Sequence, residues 1–232
     1  SNTTIKVADG SDSYKGRNGA EDGTVTINGS TEGVVVMVAV ITYDASPYYH
    51  SFASLAEAVE FAKAGDVITL IRDITASDII TIDKAITLDG NGKTLTSTAG
   101  RAINIETEGK VVINNLTVKA AERAFNIINK AATVELNDVT ATASNNAVMI
   151  ATSAGAANVT INGCDFTGLA VVNVAGADAQ VAINDTKITN IDANEAENYG
   201  AITVYSTATN AEVTVNGGSI TVADDSKKAY IF

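Results

Sequence analysis

The chain has 232 residues, of which 27 are acidic and 15 basic, so its formal net charge is −12; 46% of the residues are hydrophobic, but only 5% are aromatic and none is Trp. An acidic surface repels phosphate backbones and anionic lipid, and no apolar run approaches the roughly 20 residues of a membrane helix, so we expect no nucleic-acid partner and no membrane insertion. The single Cys164 excludes an internal disulfide framework.

The first 44 residues are rich in Gly, Asp, Ser and Asn, with short strand-like runs between the turn signals. We predict that residues 1–44 form either a β-rich lead-in to the following domain or the end of an upstream domain, and the sequence does not separate the two. Residues 34–41 are apolar throughout, a pattern typical of a strand that is covered on both faces.

A helix is predicted near residues 54–64. Ser54 and Glu57 have the spacing of a capping box, in which each side chain accepts a hydrogen bond from the other residue's backbone amide. The apolar residues behind them fall on one stripe: Leu55, Ala58, Val59 and Ala62. Because an uncovered sheet edge invites pairing with another chain, we expect this helix to cap the first coil of the domain behind it.

A short phrase then recurs to the end of the chain, in which an alternating apolar run is followed by Asn. The spacings between successive members are 23, 25, 22 and 32 residues for Asn114, Asn137, Asn162, Asn184 and Asn216. Such a period indicates one supersecondary unit stacked many times. Asn tolerates left-handed backbone angles, so we predict each Asn at a sharp bend, with its amide bonded to the Asn of the neighbouring coils.

Three segments carry a resemblance to a known superfamily: residues 54–59 (Ser-Leu-Ala-Glu-Ala-Val), residues 64–70 (Ala-Gly-Asp-Val-Ile-Thr-Leu) and residues 88–94 (Leu-Asp-Gly-Asn-Gly-Lys-Thr). Together they resemble the opening of proteins of the pectin-lyase-like superfamily, especially secreted or surface members from bacteria. The resemblance implies an all-β fold over residues 45–232, a right-handed single-stranded parallel β-helix with an N-terminal capping α-helix. It also implies an extracellular or cell-surface location.

Two carboxylates are candidates for catalysis. Each coil from Arg101 onward divides into three strands, and Asp138, Asp165 and Lys187 each come just before an inward-facing apolar or branched residue of the third strand, so we expect them to stack on neighbouring coils. Asp138 and Asp165, about 5 Å apart, would match the pair of a retaining glycosidase or share a cation. The simpler interpretation, which we favour, is that both are surface residues beside turns.

A longer acidic turn interrupts the regular spacing after Asn190. It contains three carboxylates and is flanked by two aromatic residues: Asp192, Glu195, Glu197, Tyr199 and Tyr205. Carboxylates beside an aromatic platform suit a sugar or a metal ion, with Ca²⁺ as the cation of choice. A solvated loop without a ligand is the alternative that we favour, and we expect no other cofactor.

Two polar columns follow from the alternation of the strands. The outer face of the first strand is predicted to carry Asn104, Asn126, Met149, Asn173 and Thr203. The resemblance places a substrate groove along this face, where Asn side chains could bind a neutral glycan. The interpretation that we favour is an ordinary polar exterior.

The third strand is predicted to carry one column of threonines: Thr117, Thr140, Thr167, Thr189 and Thr221. Regular Thr arrays on flat sheets can bind ice, but a single column is better explained by the β-propensity of Thr.

The sequence favours a non-catalytic secreted or cell-surface module that acts in adhesion, glycan binding or structure, with a polysaccharide or a cell-surface partner. The alternative is a carbohydrate-active enzyme, either a polysaccharide lyase or a glycoside hydrolase. Two observations weigh against the enzyme alternative. The lyases of the resembled superfamily use a basic groove, whereas this chain is acidic. The only histidine of the chain, His50, precedes the coils. The apolar residues 229–232 follow a full coil, so a flanking domain or a second subunit is expected at the C-terminal edge.

Overall fold

The computed structural model describes residues 3–5, 16–18, 25–27, 34–42, 49–191 and 200–223. Almost all of the elements are short strands. In chain order they are β1 Thr3–Ile5, β2 Gly16–Asn18, β3 Val25–Ile27, β4 Val34–Val36, β5 Ala39–Thr42, β6 Tyr49–Phe52, α1 Leu55–Phe61, β7 Val67–Leu70, β8 Ile74–Ala76, β9 Ile80–Ile82, β10 Thr87–Asp89, β11 Thr94–Ser97, β12 Arg101–Ile105, β13 Lys110–Asn114, β14 Thr117–Ala120, β15 Arg123–Ile127, β16 Thr133–Asn137, β17 Thr140–Ala143, β18 Asn146–Ile150, a 3₁₀ turn Thr152–Ala154, β19 Asn158–Asn162, β20 Asp165–Gly168, β21 Val172–Val174, β22 Gln180–Asn184, β23 Lys187–Asn190, β24 Ile202–Val204, β25 Glu212–Asn216 and β26 Ser219–Val222.

The strands from β7 onward wind into a right-handed parallel β-solenoid, which confirms the predicted fold class. Each coil adds one strand to each of three sheets. The nine-stranded sheet has the order β25-β22-β19-β16-β13-β10-β7-β5-β6, the seven-stranded sheet β26-β23-β20-β17-β14-β11-β8, and the six-stranded sheet β24-β21-β18-β15-β12-β9. Equivalent residues of successive coils lie directly above one another, as Val134, Val159 and Val181 do in the nine-stranded sheet.

The core is one continuous cluster that runs along the inside of the solenoid. It is mainly aliphatic, and its largest fully buried side chains are Phe125 and Phe166. The alternation of the strands produces this core, because every second side chain points inward and like residues stack between coils about 4.8 Å apart. The sequence predicted both the alternation and the aliphatic character.

The helix α1 covers the start of the solenoid, packing against β9, β5, β6 and β7. Ser54 is its N-cap, and Ser54 Oγ accepts a hydrogen bond from Glu57 N at 3.1 Å, as predicted. The reciprocal bond differs, because Glu57 Oε2 accepts from Ala53 N at 3.2 Å rather than from Ser54 N. The helix ends at Phe61, shorter than predicted, with Ala62 in an extended conformation as its C-cap.

An antiparallel pair of strands at this end was not predicted. β5 pairs antiparallel with both β6 and β7, so the sheet of the solenoid includes residues before the expected boundary at residue 44. The expectation that residues 34–41 form one strand covered on both faces was wrong. The segment divides into β4 and β5, Val36 is exposed, and burial alternates along β5. An apolar run does not reveal by itself how many of its faces are covered.

The chain ends lie largely outside the described residues. Before β5, the backbone forms two pairs of parallel strands, β1 with β3 and β2 with β4. At the other end, β24, β25 and β26 are the last strands of the three sheets, and residues 224–232 lie outside the description. A flanking domain or subunit at this edge therefore stays a prediction. In the part of the chain that the structure describes, no helix is long and apolar enough to cross a membrane.

The recurrent Asn residues form the predicted amide ladder. Each Nδ2 donates to Oδ1 of the Asn one coil earlier, at 2.7 to 3.0 Å: Asn137 to Asn114, Asn162 to Asn137, Asn184 to Asn162, and Asn216 to Asn184. The prediction placed each bend one residue too early in the sequence. Each ladder Asn is the last residue of its strand, and the positive φ falls on the residue after it, namely Asn115, Asp138, Gly163, Asp185 and Gly217.

Candidate functional site

Asp138 and Asp165 do not stack on neighbouring coils. Asp138 is a bend residue with φ 53°, directly after the ladder residue Asn137, and the bend residue of the next coil is Gly163. A Cβ on Gly163 would lie 3.0 Å from Asp138 Oδ1, so the carboxylate of Asp138 occupies the space beside that glycine. The register partner of Asp165 in the earlier coil is Thr140 instead. The predicted carboxylate pair is therefore wrong as a stacked pair.

The error has a physical reason. The predicted columns were aligned on the first large apolar residue after each Asn, but the inward position two residues after the ladder Asn can hold a small or polar residue. Cys164 and Thr186 occupy that position and are buried, as Leu116 and Val139 are in earlier coils. Counting from the ladder Asn gives the observed register.

Asp165 is instead paired with a cation. Its Oδ2 lies 3.0 Å from Nζ of Lys187, the residue above it in the next coil. Both side chains are about half exposed, so the pair is solvated and contributes little to stability.

The Asn column of the six-stranded sheet occupies the predicted positions, but it is not a solvent-exposed surface. Register pairing places Asn104, Asn126, Met149, Asn173 and Thr203 above one another, on the opposite side of the strands from the inward-facing Ile and Val residues. Asn104, Asn126, Asn173 and Thr203 are nevertheless buried, and Asn126 is 0% exposed. The expectation of a polar exterior is corrected, because alternation specifies the face of a side chain but not what lies over that face.

Two amide oxygens in this column have no hydrogen-bond partner. Asn126 Nδ2 donates to Asn104 Oδ1 at 2.9 Å, which turns Asn126 Oδ1 toward the coil above. Asn173 Nδ2 donates upward to Tyr205 Oη at 3.4 Å, which turns Asn173 Oδ1 toward the coil below. Met149 stands between them and offers no donor. Met149 thus interrupts the run of amides between Asn126 and Asn173.

Tyr205 is the aromatic residue that the structure brings to this column. It follows β24, and its backbone N donates to Val174 O, so it continues the six-stranded sheet. Tyr205 lies two residues after Thr203 and therefore on the same face, where its hydroxyl accepts the bond from Asn173. The Tyr205 side chain is 39% exposed, so an aromatic surface open to solvent adjoins a buried amide with a free acceptor.

The acidic turn cannot be placed in this arrangement. Asp192, Glu195, Glu197 and Tyr199 lie in residues 192–199, outside the described residues, so the sugar or Ca²⁺ site predicted there stays a prediction. Among the residues that the structure does describe, no group of three or more His, Cys, Asp or Glu side chains is placed to hold a metal ion.

The single histidine and the single cysteine of the chain lie in different parts of the structure. The ring of His50 lies 4.7 Å from that of Phe61, at the capping helix. Cys164 is buried in the core, and this burial raises the pKa of its thiol from 9.0 to about 11. A thiol that ionises so reluctantly is a poor nucleophile.

The seven-stranded sheet presents two Thr columns where the sequence predicted one. Thr117 and Thr140 stand in the column that continues into Asp165, whereas Thr167, Thr189 and Thr221 stand in a parallel column two residues further along the strands. Four further threonines of this sheet were not predicted: Thr75, Thr94, Thr96 and Thr142. The signal was present as Thr-x-Thr at residues 94–96 and 140–142.

Comparison with protein-family models, with curated proteins and with solved structures finds no match to this chain. Its function therefore has to be argued from its own faces and side chains.

Proposed function

We propose that this chain is a non-catalytic glycan-binding module of a secreted or cell-surface protein, and that it binds a neutral glycan where Tyr205 meets Asn173. We further propose that it is related to the secreted bacterial members of the pectin-lyase-like superfamily. The partly exposed ring of Tyr205, whose hydroxyl accepts a hydrogen bond from Asn173 Nδ2, carries the proposal.

The chemistry of the pair matches that of a sugar. A tyrosine ring offers an apolar face to the C–H groups of a pyranose, and its hydroxyl remains available as a polar handle. The Tyr205 hydroxyl accepts a hydrogen bond from Asn173 Nδ2 and can donate its own hydrogen to a sugar oxygen. Asn104, Asn126 and Asn173, proposed from the sequence as glycan contacts, are buried, so a glycan would reach their amides only if whatever covers them moved away.

The charge of the chain favours a neutral ligand. The formal net charge is −12, and residues 131–186 contain no Lys or Arg. Polyuronates and sulfated glycans would be repelled by this surface, whereas a neutral polysaccharide pays no such penalty.

The enzyme alternative is less well supported. A retaining glycosidase needs two carboxylates about 5 Å apart across the scissile bond. Asp138 and Asp165 stand in different columns, and Asp165 is paired with Lys187.

The test is a titration of the protein with a panel of neutral polysaccharides, followed by the same titration of variants. We expect Tyr205→Ala to bind about tenfold more weakly, which corresponds to about 1.4 kcal/mol of lost contact energy. Tyr205→Phe keeps the ring and should bind better than Tyr205→Ala. Ile79→Ala, which changes an exposed apolar residue at the capping end, is the matched control and should bind as the wild type does.

Equal binding by Tyr205→Ala and the wild type would place the glycan elsewhere. Binding of no neutral polysaccharide would contradict the proposal altogether. Release of reducing ends or of unsaturated products from any polysaccharide would replace it with the enzyme alternative.

A further inference from the structure

The outer face of the seven-stranded sheet carries two parallel columns of side chains, which we call the threonine face. One column, nearest the bend, holds Thr94, Thr117, Thr140, Asp165, Lys187 and Ser219. The other holds Thr75, Thr96, Lys119, Thr142, Thr167, Thr189 and Thr221. Six of the seven residues in the second column are Thr, and the exception is Lys119.

The threonine face is open to solvent and rigidly supported. Its members are exposed or half-exposed, in contrast to the buried column of the six-stranded sheet. Between the two columns, the alternate residues point into the core and are buried in the middle coils, as Val118, Ala141 and Phe166 are. The backbone is held on both sides by parallel pairing, so the hydroxyl and methyl groups have a fixed spacing.

The face is almost neutral, although the chain is strongly acidic. Its charged members are Lys119, Asp165 and Lys187. The charges of Asp165 and Lys187 cancel because the two side chains form an ion pair. The two columns contain no aromatic residue, so the face lacks the platform on which sugars usually stack. A neutral partner made of regularly spaced hydrogen-bonding groups fits this surface best.

The spacing of the columns specifies that partner further. Neighbouring threonines are about 4.8 Å apart from strand to strand, and the two columns are about 6.6 Å apart along each strand. Ice is a partner of this kind, because its surface presents water molecules at regular spacings that can donate and accept hydrogen bonds. Each threonine adds a methyl group that can sit between water molecules and a hydroxyl that can bond to them.

We propose that the threonine face is an ice-binding surface. This activity is separate from the proposed glycan site, because it uses another sheet and different residues. The regularly spaced threonines hold water molecules in an ordered array that can join ice, and the second column forms the contact. Lys119 is the main defect, because it places a strongly hydrated charge in the middle of that column.

The experiment measures the thermal hysteresis of a solution of the full chain, which is the gap between the melting and freezing temperatures of an ice crystal in it. It also measures the uptake of the protein into a slowly growing ice crystal. Thr142→Lys introduces a second charge into the column and should abolish both effects. Lys119→Thr completes the column and should increase both. The matched controls lie on the outer face of the nine-stranded sheet: Thr160→Lys and Lys110→Thr should leave both measurements unchanged.

The proposal is overturned if the wild-type chain shows no thermal hysteresis and is excluded from ice. The columns would then reflect only the preference of Thr for strands. An equal loss in Thr142→Lys and Thr160→Lys would do the same, because the effect would not belong to this face. Retention on insoluble cellulose or chitin without uptake into ice would assign the face to a crystalline polysaccharide instead. Far-ultraviolet circular dichroism of each variant verifies that the solenoid is intact.

Discussion

The side-chain amide of Asn162 donates a hydrogen bond across 2.7 Å to Oδ1 of Asn137 in the preceding coil. Asn162 Oδ1 in turn accepts from Asn184 Nδ2 at 2.8 Å, so Asn162 bonds in both directions along the ladder. The backbone is bound at the same place, because Asp138 N donates to Asn162 O. The ladder therefore ties successive coils together at their bends.

Replacing an inner member of the ladder should destabilise the solenoid. Asn162→Asp keeps the acceptor but loses the donor and places a carboxylate against Asn137 Oδ1, so we expect the free energy of unfolding to fall by about 1 to 3 kcal/mol. Urea unfolding measures this. Asn216→Asp is the control at the end of the ladder, where the residue is exposed and bonds only downward, so its effect should be smaller. Equal losses would mean that the inner ladder is not the source of the effect.

Completing the interrupted ladder of the six-stranded sheet should have the opposite effect. Met149→Asn supplies an amide nitrogen that can donate to Asn126 Oδ1. If the Asn173 amide turns over, its Nδ2 donates to the new amide oxygen and Tyr205 Oη donates to Asn173 Oδ1, so the free energy of unfolding should rise by about 1 kcal/mol. Met149→Leu keeps the apolar volume and leaves both oxygens without a donor, so it is the matched comparison. Thermal unfolding that ranks the Leu variant above the Asn variant would contradict this account.

Two neighbouring glycines should respond differently to substitution. A Cβ on Gly90 would lie 2.5 Å from Asn115 O and from Leu116 Cα of the next coil, so Gly90→Ala forces the two coils apart. We expect it to cost about 1 to 3 kcal/mol of unfolding free energy, as overpacking does. Gly92 has φ 70° and nothing within 4 Å of the corresponding Cβ, and Asn tolerates this conformation. Gly92→Asn should therefore be nearly neutral in the same denaturant titration, and a large loss there would contradict the interpretation.

The buried thiol should make stability depend on pH in the alkaline range. Burial raises the pKa of Cys164 from 9.0 to about 11, because the thiolate is desolvated in the core. The unfolded chain loses its thiol proton first, so the contribution is complete below pH 9 and is lost as pH rises toward 11. The loss amounts to about 2 to 3 kcal/mol.

Other groups also titrate in this range, so the measurement is a difference. The unfolding free energy of Cys164→Ala is subtracted from that of the wild type at each pH between 7 and 11. We expect the advantage of the wild type to shrink across the upper half of that range. A difference that stays constant with pH would show that the thiol ionises equally easily in both states.

The repeating unit, the inward and outward alternation, the capping helix and the amide ladder could all be inferred from the amino-acid sequence. Alternation and capping are local properties: a period of two decides the face of a strand residue, and Ser54 with Glu57 caps a helix through bonds that span only a few residues. The ladder joins residues of different coils, and it followed from the repeat, which stacks equivalent positions on one another. The superfamily resemblance pointed to the same fold class.

Which outward-facing residues of the other strands are neighbours between coils is visible only in the folded structure. The register between coils depends on how many residues each bend contains. The prediction aligned the strands on large apolar residues, so the buried Cys164 and Thr186 at the inward position moved the predicted columns by two positions. That shift separated Asp138 from Asp165 and divided the threonines between two columns. Burial is also decided beyond the alternation of a single strand: Asn126 points away from the core and is still fully buried.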